Sequence, residues 1–378
     1  MNQRMAYLLT IAFAIVFIFI GNRMVADRAD FDEFAHQTER AVVLEISERI
    51  DEDWGFDEWS MPSTRIIFEA RIRGGERRGE IITAMQFMDH FSTMGYANER
   101  EIIVGDSVLL AYLPDHDEPW NFIDFVRSDR LLVFIVIFAI FLLILGGRKG
   151  INTILSLGII CSAIFLVFIP AILSGRNIYL TAIVICAFTV VVTLLIIYGL
   201  NRKSIAAIIG CLGGILMAGI IAVIMERVLF LTGHTDSEMM ALLRLPIETP
   251  INLRAIVFAA ILIGAMGAIM DTALSISTAL WEVRENAPGI KFEALMKSGM
   301  NIGRDMMGTM TNTLILAYIG GSLSVVLLLS VFSPSMLSLF NMEMIVVEVL
   351  QAVIGSMGIL FAVPITSLVC AALYSRGD

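Results

Sequence analysis

GAMGAIMDTALSISTALWEVRENAPGIKFEALMKSGMNIGRDMMGTMTNTLILAYIGGS, residues 264–322, joins two apolar segments of membrane type through a charged linker. Asp271 sits well inside the first segment. Arg304 and Asp305 open the second, and Thr309, Thr311, Asn312 and Thr313 follow within it. Hydrocarbon makes such groups expensive, so they normally face the interior of a helix bundle or a wet cavity. The stretch therefore predicts a membrane protein with a polar interior site. It does not name what that site handles.

The surrounding chain agrees. A hydrophobic fraction of 57% against 16% charged residues, with a mean hydropathy of +0.82, lies outside the range of a soluble domain. Apolar runs of transmembrane length recur at about 5–21, 131–147, 151–173, 178–200, 204–230, 254–280, 305–332 and 344–374, each able to span ~30 Å of hydrocarbon. The expected fold is a mostly α membrane protein, a bundle of about eight transmembrane helices with a small β-rich extracytoplasmic domain between helices one and two. Its parts are an N-terminal anchor (1–23), an acidic linker and β-rich domain (24–130), and a seven-helix membrane domain (131–378). A cytoplasmic linker at 282–303 holds a Pro288-Gly289 turn and an amphipathic stretch from Lys291 to Met300. That stretch either lies on the membrane surface or packs under the bundle.

Positive charges set the orientation. Arg148 and Lys149, Arg202 and Lys203, then Arg284, Lys291, Lys297 and Arg304, and finally Arg376 fall on alternate junctions. The positive-inside rule makes those junctions cytoplasmic, with both termini inside. No clear small-x-small cleavage site follows the first run, Met24-Val25-Ala26 being the nearest, so an uncleaved anchor is expected.

The outer segment begins acidic, with Asp27, Asp30, Asp32 and Glu33, then Asp51, Glu52, Asp53, Asp57 and Glu58. No EF-hand spacing appears, so a solvated linker is the expected reading of these runs. Strand character follows at 41–46, 65–72, 79–85 and 101–113, punctuated by Gly74-Gly75 and Gly105-Asp106, and predicts a compact barrel or sandwich. Residues 87–96 read as a short helix or loop.

Three helices carry packing or site features. Gly210, Gly214 and Ala218 give helix five a small-xxx-small face for close packing. Gly264, Gly267, Asp271, Ser275 and Thr278 share one face of helix six, a small-polar stripe centred on a carboxylate. Helix eight aligns Glu348, Gln351, Gly355 and Gly358, then meets Pro364. The candidate proton-coupling or polar intramembrane set is Asp271, Ser275, Thr278, Arg304, Asp305, Thr309, Asn312 and Glu348. Gly210, Gly214, Gly264, Gly267 and Gly308 are the candidate packing glycines. Asn312 and Thr309 are placed to hydrogen-bond Asp271 across the interface of helices six and seven, while Asp305 has Arg304 or Lys297 as a candidate ion-pair partner.

Several classes fall away. Cys161, Cys186, Cys211 and Cys370 all lie in membrane segments with no zinc spacing, so they read as packing residues and no disulfide framework is expected. His36, His90, His116 and His234 lie outside the bundle, and neither metal nor cofactor is expected. No hydrolase, P-loop or dinucleotide motif is present, and Gly303-Arg304-Asp305 stands where an intramembrane aspartyl protease would need Gly-x-Gly-Asp. A net charge of −10 without a basic domain argues against nucleic acid. The expected partners are the lipid bilayer, a small-molecule or ion substrate, and a membrane-protein partner or second copy. Two functions fit: a transporter or permease component, proton-coupled through Asp271, or a non-transporting scaffold or assembly factor acting through its outer domain.

GAMGAIMDTALSIS, SGMNIGRDMMGTMTNTLILAYIGGSL and GSMGILFAVPIT resemble the YibE/F-like family of bacterial polytopic membrane proteins. The resemblance covers roughly residues 40–374 and implies a multi-pass protein of the bacterial plasma membrane, without a settled biochemical role. Asp271-Thr272, Trp281–Glu285, Arg304 and Thr311–Leu314 ahead of Gly320-Gly321 are also similar to the fourth and fifth helices of one half of RND-type or SecD/SecF-type proteins. That similarity implies proton coupling at Asp271.

Overall fold

The computed structural model describes residues 3–25, 38–54, 61–75, 77–89, 100–113, 119–235, 237–245, 250–332 and 335–375. They form two compact units, residues 30–141 and residues 1–29 with 142–378.

The first unit is a closed barrel of five strands in the order β1-β2-β3-β5-β4. The strands are β1 (Thr38–Trp54), β2 (Met61–Ile72), β3 (Ile81–Asp89), β4 (Ser107–Tyr112) and β5 (Trp120–Phe125). All pairs are antiparallel except β3 with β5, a Greek-key order that removes free edges. β1 is long enough to pair with both β2 and β4, and register shifts at 43–45 and 46–48 let it bend around the barrel. Period-two alternation sends Ile66, Phe68, Ala70 and Ile72 of β2, and Ile82, Ala84 and Met88 of β3, into a common core with Val108, Leu110 and Trp120. Gln86, also buried, donates to the Arg100 carbonyl at 3.1 Å and accepts from the Ile102 N–H at 3.0 Å, which leaves no buried amide atom stranded.

Two sequence expectations are corrected here. Asp51, Glu52 and Asp53 are not linker: they continue β1, opposite Thr64, Ser63 and Pro62 of β2. The fifth strand, Trp120–Phe125, lies beyond the last strand expected. Asp27, Asp30, Asp32, Glu33, Asp57, Glu58 and residues 90–96 lie outside the described residues.

The second unit is helical. It contains α1 (Gln3–Arg23), most of a run made of α2 (Ser128–Ala163), a π-helical turn (Ile164–Phe168) and α3 (Ile169–Leu173), then α4 (Ile178–Tyr198) and α5 (Arg202–Val228). There follow α6 (Ser237–Leu242), α7 (Leu253–Asn286), α8 (Phe292–Gly321), α9 (Leu323–Phe332), α10 (Met336–Leu339) and α11 (Glu343–Tyr374). Asn177, Asn201 and Asn252 cap α4, α5 and α7 by accepting the N–H three residues on. α11 lies at the centre, packed on α5, α7 and α8, and runs unbroken through Pro364. Leu145 and Phe230 are 83% and 86% exposed, among many large apolar side chains on the helix surfaces. Such a surface suits lipid, not water.

Among the described residues six helices are long and apolar enough to cross a membrane, against about eight expected spans. The expected spans 131–147 and 151–173 fall in one helical run, Ser128–Leu173, interrupted at Gly147, where φ 52° and ψ −126° suit a residue without Cβ. The expected span 305–332 divides at Ser322 into α8 and α9, and the charges and hydroxyls of α8 keep it out of the apolar set. The amphipathic stretch 291–300 is no separate surface helix. It forms the first turns of α8, anchored where Gly299 meets Ser367 and Leu280.

Candidate functional site

α7 and α8 run antiparallel. Near one end Gly264 lies against the Tyr318 hydroxyl, and near the other Gly299 lies against Leu280. Asp271, Arg304, Asp305, Thr309 and Asn312 fall between those levels. The inward side of α7 is occupied by Thr272, Ala273, Ile276, Ser277 and Leu280, all buried. Helical periodicity therefore turns the Gly264–Thr278 stripe outward: Gly267, Asp271 and Ser275 are exposed and Thr278 is half-buried.

α8 has the same arrangement. Leu295, Gly299, Gly303 and Leu314 bury its inner side, while Arg304, Asp305, Gly308, Thr309 and Asn312 are exposed. The expected interior site is thus corrected. The polar groups of both helices face away from the core, because small and apolar residues have taken every inward position.

These groups are not joined to one another. Among the described residues Asp271, Arg304, Asp305 and Asn312 make no side-chain hydrogen bond or ion pair. Thr309 donates to the Met306 carbonyl of its own helix at 3.0 Å, not to Asp271. The expected pairing of Asp305 with Arg304 or Lys297 is absent too. Glu348 is half-buried on α11, and the Tyr318 hydroxyl is buried without a hydrogen-bond partner among the described residues.

The packing glycines divide. A Cβ at Gly210 would strike Thr366, and one at Gly214 would meet Ala362, the Gly358 carbonyl and Ile269, each at 2.9 Å. Those two bring α5 against α11 as the small-residue spacing implies. Gly264 packs on Tyr318. Gly267 and Gly308, in contrast, have no described residue within 4 Å of a Cβ position. Cys186, Cys211 and Cys370 are buried, but Cys161 is exposed on α2 and is not a packing residue.

Three polar arrangements escaped the sequence reading. Tyr179 donates to Glu226 at 2.8 Å, tying α4 to α5. Glu343 accepts from the Thr232 and Gly233 N–H groups at 2.6 Å and from the Thr232 hydroxyl at 2.7 Å, which fastens the chain after α5 to the start of α11. Ser277 donates to the Lys203 carbonyl at 2.8 Å and lies 2.7 Å from the Tyr374 hydroxyl, joining α7, α11 and the start of α5. Only Glu343 carried a signal, an acidic residue in a first helical turn. The others depend on which helices become neighbours.

A cavity of about 970 Å³ borders the barrel and the start of α2. Its charged lining is largely spent internally, in Arg100–Asp106, Arg127–Asp124 and Arg40–Asp129 pairs. Among the described residues no group of three or more His, Cys, Asp or Glu side chains is placed to hold a metal ion.

The apolar helical surface defines a multi-pass membrane protein with a small barrel domain. Residues 134–376 match the family described as YibE/F-like protein, and the chain belongs to that family. The match begins after β5, so the barrel lies outside it. No curated protein and no solved structure matches the chain. The similarity to RND-type or SecD/SecF-type proteins has no counterpart among these matches.

Proposed function

We propose that the chain is a permease-type component of the bacterial plasma membrane, with a path for a small solute or ion along the Asp271 face of α7. The observation that carries this reading is the unpartnered carboxylate itself. Asp271 stands exposed on a long apolar helix, between open Gly267 and exposed Ser275, with no ion pair among the described residues. A carboxylate facing hydrocarbon costs about 2.5–3.5 kcal/mol on insertion scales, so such groups mark ion pathways or proton relays. Protonation removes that cost, and a carboxylate alternating between water and lipid couples its occupancy to a proton gradient. The remaining features of this reading are eight crossings, with 131–147, 151–173 and 305–332 each traversing the bilayer, and both termini cytoplasmic.

A second reading, a scaffold acting through its outer domain, is favoured by the barrel surface. Ile103 and Val104 are 56% and 60% exposed beside the Gly105 turn, an apolar tip suited to a partner.

Purified protein in liposomes under an imposed pH gradient separates the two. Proton flux that Asp271→Asn abolishes, with the variant still folded and inserted, is the expected result. Complementation of a deletion strain by Asp271→Asn as efficiently as by the parent removes the coupling role and leaves the scaffold.

A further inference from the structure

The outward face of α8 is built as a seam. Asn301, Asp305, Gly308 and Asn312 are all exposed and follow four-three-four spacing, the pattern by which one helix packs along another. Arg304 stands beside Asp305, and exposed Ile319 extends the line toward the far end of the helix. At Gly308 nothing lies within 4 Å of a Cβ position, so the helix presents bare backbone there, as at close helix–helix crossings in membranes. Asn301, Arg304, Asp305 and Asn312 make no side-chain hydrogen bond or ion pair with any described residue. Lipid satisfies none of them, and the inner face of α8 is already buried on α7 and α11.

We propose that this face binds a second copy of the chain, α8 against α8, about a two-fold axis along the membrane normal. The argument for a second copy, and not a different protein, is charge complementarity. Arg304 and Asp305 are adjacent, opposite in sign and at nearly one depth. A two-fold axis between them sets Arg304 against Asp305 of the partner subunit and Asp305 against Arg304 of the partner subunit. A symmetric interface requires such a self-complementary patch. Asn312 fits the same rule, since a carboxamide both donates and accepts and so pairs with its own copy. The open backbone at Gly308, between the two polar levels, lets the helices approach closely enough for both to form. This interface does not depend on proton coupling at Asp271, which belongs to α7.

The test uses the full-length chain in membranes, with Cys161, Cys186, Cys211 and Cys370 replaced by Ala so that single cysteines report. Gly308→Cys and Asn312→Cys are expected to crosslink into a homodimer. Met310→Cys, half-buried on the bundle side, is expected not to. In the Asn312→Cys background, Arg304→Asp or Asp305→Arg alone should lower the crosslinked fraction at least tenfold, and the two together should restore it. Gly308→Leu, which leaves every charge in place, should lower it as well. The proposal is overturned if neither seam cysteine crosslinks, if they capture a different protein instead, or if single charge reversals change nothing. It is equally overturned if the double reversal fails to restore the dimer while the variants elute as folded protein. Each result is independent of the flux assay on Asp271→Asn.

Discussion

Trp120 closes the barrel, and replacing it tests that closure quantitatively. It is 3% exposed, pairs with Ala84 of β3 and with Tyr112 of β4, and stands 5.2 Å from the Tyr112 ring centroid. The Arg77 guanidinium lies over the indole at 5.2 Å from its centroid. Trp120→Ala removes this buried indole at a cost of about 3–5 kcal/mol. Loss of the aromatic pair, worth roughly 0.5–1.5 kcal/mol, pushes the effect to the upper part of that range. A domain of some ninety residues, 38–127, has a total stability of about 5–13 kcal/mol. The substitution therefore removes about a quarter of it or more. At roughly 4–8 °C per kcal/mol the melting temperature falls by at least about 12 °C. Far-ultraviolet circular dichroism of fragment 38–127, by heat and by urea, is the assay. A fragment ending at residue 115 lacks β5, leaves β3 and β4 without their shared neighbour, and is expected to show no cooperative melt. A Trp120→Ala midpoint within about 1 kcal/mol of the parent, or a cooperative melt of fragment 38–115, would refute the closure argument.

Three further outcomes are expected. Arg77 donates twice to Glu80 at 2.7 Å and holds its carboxyl below the usual carboxylate range. The resulting stability is present above the unfolded-state pKa and is lost as pH falls through the lower folded-state pKa. Glu80→Gln should therefore make fragment 38–127 lose less stability on acidification from pH 7 to 3, by a small amount because the pair is exposed. Equal pH dependence in both would count against the pairing. Gly214→Val should lower thermal stability in detergent by roughly 1–3 kcal/mol through overpacking, since its Cβ meets Ala362, Ile269 and an unyielding backbone carbonyl. Gly267→Ala, with open space at that position, should leave the melt unchanged.

Much of the architecture was legible because hydropathy and helix propensity are local. The apolar runs marked the long helices, and Gly210 with Gly214 announced a close contact that α11 fills. The breaks were harder to read. Nothing in the composition around Gly147 shows whether the chain leaves a helix or bends within one, and the hydroxyls of α8 do not reveal that Lys291–Met300 continues into it. β5 is only six residues, and its run ends just before the apolar stretch of α2. Its strand character is fixed by non-local pairing with β3 and β4.

The sequence alone determined the class of protein and which residues share a helical face. Periodicity is an intrinsic property of the chain, so Gly264, Gly267, Asp271, Ser275 and Thr278 had to lie together. Only the tertiary structure decided where that face looks. The rule that polar groups turn away from lipid suggested the interior of this chain's own bundle, but Thr272, Ala273, Ile276 and Ser277 fill the interior side of α7. Gly303 and Leu314 do the same for α8. Burial is decided by which helix surfaces pack most closely, and small and apolar side chains pack closer than an aspartate or an arginine. The solvation demand of the polar groups remains, and no described residue of this chain meets it for Asp271, Arg304, Asp305 or Asn312.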